Sequence, residues 1–177
     1  MKPTYQIRVL APTEAAAYQA LRLQSYQDSA YAFSESYEDE VQRSIDHFQA
    51  ELASFGLPQE QYVLGAFNAA GELAGFVKFR RDQRSKARHK SMIHAMYVAP
   101  AHRKRGLGKD LVDEVIARAR QLDGLEQIHL WVLHSTASTS AAEFYAKCGF
   151  QSQGVVRKDL KINGQYVDAE YMVMYFE

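Results

Sequence analysis

Residues 96–122 constrain this chain more than any other stretch. Met96-Tyr97-Val98-Ala99-Pro100 reads as the end of a strand, and His102-Arg103-Lys104-Arg105-Gly106-Leu107-Gly108-Lys109 follows as a basic, glycine-bearing loop. Leu107, Leu111, Val115 and Leu122, with Val112 and Ile116 beside them, then recur at helical spacing. A fold that accepts this order must bring the end of a strand against the start of a helix. The first N–H groups of a helix have no internal partner, and the macrodipole adds partial positive charge there. Gly106 and Gly108 carry no Cβ, so backbone can close on an anion, while Arg103, Lys104 and Arg105 add full charges at the rim. The loop reads as a pyrophosphate cradle.

Two nucleotide patterns can be set aside. The dinucleotide fingerprint G-x-G-x-x-G fails because its third glycine position is Leu111. The P-loop pattern fails because Gly108-Lys109 is followed by Asp110 and lacks the upstream glycine. What remains is R-x-x-G-x-G, carried by Arg103, Gly106 and Gly108.

Composition narrows the partners. Lys plus Arg equals Asp plus Glu in the 177 residues, so no global field favours nucleic acid or a membrane surface. The basic run from Arg81 to Lys90 has no interleaved aromatic and reads as a solvated hairpin loop. Cys148, the single cysteine, excludes an internal disulfide and fits a reducing compartment. The N-terminus shows no apolar signal segment, so a cytoplasmic protein is expected, with one domain over residues 1–177 and no metal site.

Along the chain, Gln6 to Leu10 reads as a strand and Thr13 as the N-cap of a helix to about Tyr26. Residues 28–35 break the periodicity. Ser36, with Asp39 three residues on, reads as the cap of one second helix whose buried face is Val41, Ile45, Phe48 and Leu52. Tyr62–Phe67 and Leu73–Arg81 form a hairpin pattern, and Ser91–Val98 is the next strand. Gln127–Leu133 follows as a strand, then a short helix to Lys147 with Gly149 at its C′ position. Phe150–Arg157 and Tyr166–Phe176 are the last strands, joined through Asn163-Gly164, a strong two-residue hairpin turn. The order predicts an α+β fold, with a central mixed, mostly antiparallel sheet flanked by about four helices.

This order, with R-x-x-G-x-G after the fourth strand, resembles the GNAT (GCN5-related N-acetyltransferase) superfamily. A second segment, Ala141 to Phe150, looks like that family's A-x-x-x-Y-x-K-x-G-F pattern through Ala141, Tyr145, Lys147, Gly149 and Phe150. The resemblance implies acetyl transfer from acetyl-CoA to an amine of a small molecule or a protein, and it allows a homodimer. It implies that Met96, Tyr97 and Val98 meet the pantetheine arm and that Arg103, Lys104, Arg105, Gly106, Leu107, Gly108 and Lys109 hold the pyrophosphate, with Ala141 and Tyr145 alongside. Ser138 stands where the family often places an Asn on the pantetheine arm. An acyl-CoA-binding regulatory module without turnover is the alternative.

The chemistry sets the demand for a base and an acid. An alkyl ammonium with a pKa near ~10.4 is neutral only about once in 2,500 at pH 7, so roughly 4.6 kcal/mol must be met by a base, a water relay or the pocket. The thiolate leaving group benefits from a proton donor, and Tyr145 holds the family's position for that acid. On spacing alone core packing is the better reading of Tyr145, since Ala141, Phe144, Tyr145 and Cys148 share one helix face, and the resemblance reverses it in favour of the acid. For the base, His94 shares its strand face with Met92, Met96 and Val98 on simple alternation, and a core histidine is an equal reading. His134, Glu35 and ordered water are further choices. The resemblance implies an acceptor site between the Asp28–Ser36 loop and the final hairpin, with Tyr31, Phe33 and Glu35 as its candidate residues, against a reading in which these loop residues have no role.

Overall fold

The computed structural model describes residues 4–29, 33–53, 59–134 and 139–176. Seven strands form one sheet in the order β1-β2-β3-β4-β5-β7-β6. They are β1 (Gln6–Val9), β2 (Gln61–Phe67), β3 (Leu73–Arg81), β4 (Lys90–Val98), β5 (Gln127–His134), β6 (Gln151–Ile162) and β7 (Gln165–Tyr175). Every neighbouring pair is antiparallel except β4 and β5. The helices are α1 (Ala15–Asp28), α2 (Tyr37–Val41), α3 (Ile45–Ala53), α4 (Leu107–Ala119) and α5 (Thr139–Lys147). The expected α+β architecture is what the chain adopts, with five helices among the described residues rather than four.

The extra helix comes from a break. Ser36 caps α2 as its spacing predicts, its hydroxyl accepting from the Asp39 N–H at 3.1 Å. Glu40, fully buried at the end of α2, then forms ion pairs with Arg22 and Arg43. Ser44 restarts the chain as α3 by taking the His47 N–H. The turn swings Val41 and Ile45 outward, to 42% and 40% exposure, while Phe48 and Leu52 stay buried. The predicted single apolar face is therefore two. Thr13 is not the cap of α1; it lies in a 3-10 turn, Pro12–Glu14, where the Glu14 carboxylate accepts from the Ala11 N–H.

Each face of the sheet carries its own core. On one, Leu107, Leu111, Val112 and Val115 of α4 press on Leu64, Val77, Phe79 and Ile93, and Phe144 and Tyr145 of α5 extend the layer. On the other, Tyr18 of α1 and Phe48 of α3 meet edge to face at 5.9 Å, over Phe76 and Tyr97. α4 ends at Ala119, and Leu122 packs from the turn beyond it rather than from the helix.

The charged run after β3 is not uniformly solvated. Arg84 is exposed, but Arg81 is buried and holds the Glu60 carboxylate at 3.0 Å, the Arg88 carbonyl at 2.6 Å and the Asp123 carbonyl at 2.7 Å. A buried guanidinium with each arm satisfied ties three loops to the end of β3. The last hairpin turns at Asn163-Gly164 with both residues at positive φ, as its type demands. β6 is longer than the predicted Phe150–Arg157, reaching Ile162 through irregularities near Gly154 and Lys158.

Candidate functional site

The site begins with a failure of strand pairing. β4 follows β3 along its whole length but meets β5 only at Lys90–Met92 opposite Gln127–His129. Beyond that, β4 carries a bulge: Phe79 pairs with Ile93 and Lys78 with Ala95, leaving His94 as the extra residue. A bulge bends its strand and raises the local twist. From there β4 and β5 diverge, and a cavity of about 120 Å³ lies between Ile93–Met96 and Leu130–Leu133, closed below by Ala141 and Tyr145.

The bulge corrects the sequence reading of His94. After two residues oppose one, alternation resumes out of phase. Met96 and Val98 pack with the α4–α5 core, as Ile93 does, whereas Ala95 and Tyr97 pack with the α1–α3 core. His94 therefore does not share a face with Met96 and Val98. It stands on the opposite face, exposed, with Lys78, Arg80 and Glu35 as its charged neighbours. Desolvation, followed by Lys78 and Arg80, holds its imidazole below the ordinary value, partly countered by Glu35. A neutral ring is a proton acceptor, so this His suits a base.

A second cavity, about 480 Å³, opens off the gap on the α4 side. It gathers Met96, Tyr97, Val98, Arg103, Lys104, Gly106, Leu107, Gly108, Lys109, Ala141 and Tyr145, along with Ser29, His102 and Phe144. Arg105 is exposed and lies outside this lining, and Ser138 and Tyr31 fall outside the described residues. The loop folds as its glycines require. Gly106, the α4 N-cap, has φ 86°, a left-handed conformation that a side chain resists. At Gly108 a Cβ would stand 3.1 Å from Met96 Cε, close enough to displace that side chain of β4, while the α5 residue Phe144 would be at ordinary contact distance, 3.6 Å.

The basic residues have different duties. Arg103 donates through Nε to the Val98 carbonyl at 2.8 Å and lies over the Tyr97 ring, clasping the loop back onto β4. Tyr97 donates in turn to Asp28 at the end of α1. Lys109 reaches Asp113, one turn on, at 2.5 Å. His102 holds the Tyr5 hydroxyl at 2.9 Å. Gly106 to Lys109, the start of α4, line this cavity, and a helix start with its dipole behind it is the arrangement that favours a phosphate.

Tyr145 sits where the two cavities meet. The α5 cap holds it there: the Phe150 N–H bonds the Tyr145 carbonyl at 3.0 Å and the Gly149 N–H bonds the Ala146 carbonyl, with Gly149 at φ 100°. Its ring meets Phe144 and Phe150 edge to face, and its hydroxyl points at Met96 Sδ, 3.6 Å away. Burial pushes the phenol well above its ordinary value, so it is protonated across the physiological range. The core and acid readings of Tyr145 are thus compatible: the ring packs, and the hydroxyl is directed at Met96, which lines both cavities. Burial also raises the Cys148 thiol, with Asp113 adding to it, which keeps the sulfur protonated and suits packing rather than attack.

The other acceptor-side candidates scatter. Phe33 is buried, 4.9 Å from the Tyr26 ring, and belongs to the α1–α3 core rather than to a cavity wall. Glu35 is exposed and accepts from Ser34. His134 is bound to Glu170 at 2.7 Å. A third cavity, about 450 Å³, lies around His94 on the face away from α4 and is lined by Arg80, Lys90, Met92, His129 and Tyr171 among others. Sequence reasoning missed this wall. The signal was Lys78 and Arg80 at strand spacing in β3, alternating with the apolar Val77 and Phe79, which sends both charges to one face.

A strand pair splayed beside a glycine-turned helix start, with a protonated tyrosine at the junction, is the frame of an acyl-CoA-dependent N-acyltransferase. Comparison with known proteins agrees. The family model described as "Acetyltransferase (GNAT) family" matches residues 20–150, so the chain belongs to the GNAT acetyltransferase family. A GNAT-family acetyltransferase of Streptococcus pneumoniae superposes with a TM-score of 0.84 at 25% identity, covering 98% of this chain and 100% of that one. A Salmonella typhimurium protein solved with its cofactor acetyl-CoA superposes at 0.82, with 19% identity over 98% of this chain and 95% of its own. A spermidine N(1)-acetyltransferase of Vibrio cholerae is 27% identical over 84 residues, 48% of this chain. The match spans about half (47%) of that relative's length. No described helix is long and apolar enough to cross a membrane.

Proposed function

We propose that the protein transfers the acetyl group of acetyl-CoA to a primary amine by direct attack. The observation that carries this is Tyr145, whose hydroxyl stands at the junction of the α4 cavity and the β4–β5 gap. Acetyl-CoA would lie with its pyrophosphate on the α4 N-terminus, with Lys104 and Arg105 at the rim, and its pantetheine arm along Met96–Val98. His94, from the opposite face, takes a proton from the acceptor ammonium. The neutral nitrogen forms a bond to the thioester carbon, and an N–H of the Met96–Val98 stretch receives the charge on the carbonyl oxygen. The C–S bond then breaks, the thiolate takes the Tyr145 proton, and the nitrogen loses its second proton to solvent, which also restores the tyrosine. We place the reaction in the cytoplasm, on the single cysteine of the sequence.

The curated relative makes spermidine one acceptor to test, beside other small amines and peptide amines. The measurement is thiol release from acetyl-CoA over such a panel. Tyr145→Phe keeps the ring packing, should leave acetyl-CoA affinity within about twofold, and should lower kcat by on the order of 100-fold. Tight acetyl-CoA binding with no thiol release from any amine would favour a regulatory module instead.

A further inference from the structure

The cavity around His94 carries a charge pattern of its own. Across the sheet, Arg80 is in register with Met92, and Met92 with His129. One step along, Lys78 is in register with Ala95 beside the bulged His94, and Trp131 with Tyr171. These side chains look out on the face that α1 and α3 leave uncovered beyond β4, where Trp131 is 46% exposed. Arg80, Arg81, Arg84 and Lys90 line the cavity against a single carboxylate, Asp82.

The partners of those cations decide which are available. Arg81 is consumed by Glu60 and backbone carbonyls, and Arg84 holds Asp82 with Nη2 at 2.5 Å and Nε at 3.0 and 3.2 Å. Lys78 is paired with Glu51. Among the described residues, the side chains of Arg80 and Lys90 have neither a hydrogen bond nor an ion pair, although both residues line the wall; the Lys90 carbonyl takes the Asp82 N–H at 2.9 Å. His129 is spoken for: Nε2 reaches Gln127 Oε1 at 2.8 Å and Nδ1 faces the Tyr171 hydroxyl. Burial, then Lys90 and His89, push it down to about 4. A neutral ring in that setting donates to Gln127 and accepts from Tyr171, which leaves the oxygen lone pairs of Tyr171 for the cavity.

We infer that the acceptor is a small amine that also carries an acidic group, the acid held between Arg80 and Lys90 and the nitrogen presented to His94. The proposal rests on the acetyl-transfer reading and supplies its substrate class. Glu35, the carboxylate on the His94 side, faces the ammonium end. Arg80 lies two residues along β3 from Lys78, the partner of the bulge, so base and cation are separated by about 7 Å of strand, the reach of an amino acid. A polyamine is opposed by the same wall, because its second ammonium meets Arg80 and Lys90 where an acid is attracted.

The test compares kcat/KM for α-amino acids and 4-aminobutyrate with butylamine and spermidine, on wild type, Arg80→Ala, Arg80→Lys and Lys90→Ala. The best amino acid should exceed butylamine by at least about tenfold, since a hydrogen bond to a charged group is worth roughly that factor. Arg80→Ala should bring the ratio near one through KM, and Arg80→Lys should restore part of it. Unchanged acetyl-CoA affinity in all variants shows that they are folded. Preference for spermidine or butylamine, or an acid preference that survives both alanine variants, overturns the inference. If no amine is acetylated while acetyl-CoA still binds, the transfer reading fails, and calorimetric titration of the amino acids onto the CoA-loaded protein decides this one. Heat that Arg80→Ala abolishes supports the acid site, and absence of heat in wild type overturns it.

Discussion

The two sides of the β4–β5 gap are built on different principles. The α4 side comes, Ser29 apart, from two segments, Met96 to Lys109 and Ala141 to Tyr145, which a turn and a capped helix present together. The His94 side is a mosaic of more pieces: the run Arg80–Arg84 at and beyond the end of β3, Lys90–Met92 and His94 of β4, and single residues from β5 and β7, His129 and Tyr171. A continuous segment binds through backbone N–H groups and a helix end, features shared by any chain that makes the same turn. A mosaic binds through side chains, and each can change without disturbing the strand beneath it. A shared donor and a variable acceptor are the natural outcome of that division.

The largest expected effect tests the backbone-built side. Gly108→Glu adds a Cβ 3.1 Å from Met96 Cε and sets an anion where the pyrophosphate charge would lie. Acetyl-CoA affinity should fall by on the order of 1,000-fold by calorimetry, with circular dichroism unchanged. Affinity within threefold of wild type would sink the cradle.

Next comes His94→Ala, expected to lower kcat/KM about 100-fold while leaving acetyl-CoA affinity intact, because the base belongs to the mosaic side. An equal loss of cofactor affinity would erase the contrast between the two sides.

The pH profile gives a finer measure. His94 is lowered, so its neutral form persists to more acid pH and the acid limb of kcat/KM should lie below ~6.5. Removing a nearby positive charge relieves that effect, so Lys78→Met should move the limb upward. Glu35→Gln removes a charge that raises the imidazole and should move the limb downward. Shifts of a few tenths of a unit in these opposite directions are expected, and the same sign for both would exclude His94 as the titrating group.

The smallest effect falls on the rim. Lys109 is exposed and engaged with Asp113, so Lys109→Ala should weaken acetyl-CoA by about two- to threefold, more at low salt than at high.

The turns and caps beside the α4 cavity and in the last hairpin were legible because their signals are local. Gly106 at positive φ, the Gly149 cap that fixes Tyr145 and the turn at Asn163-Gly164 are set by residues a few positions apart. The break between α2 and α3 was not, since the Glu40 pairing that ends α2 needs Arg22 from another helix. Phe33 looked like a loop residue until α1 supplied Tyr26 as its partner. Arg81 looked solvated until Glu60 and the Asp123 carbonyl closed around it.

His94 marks the boundary between the two kinds of information. By itself the sequence determined the strand, the glycine turn, the helix behind it and the tyrosine on α5, because hydrophobic period, glycine conformation and helix capping act over a few residues. Only the tertiary structure decided which face His94 occupies. One extra residue in β4 against β3 reverses the alternation, and pairing between strands is a long-range event that no local pattern records. That same register brings Arg80, Lys90 and His129 around the imidazole.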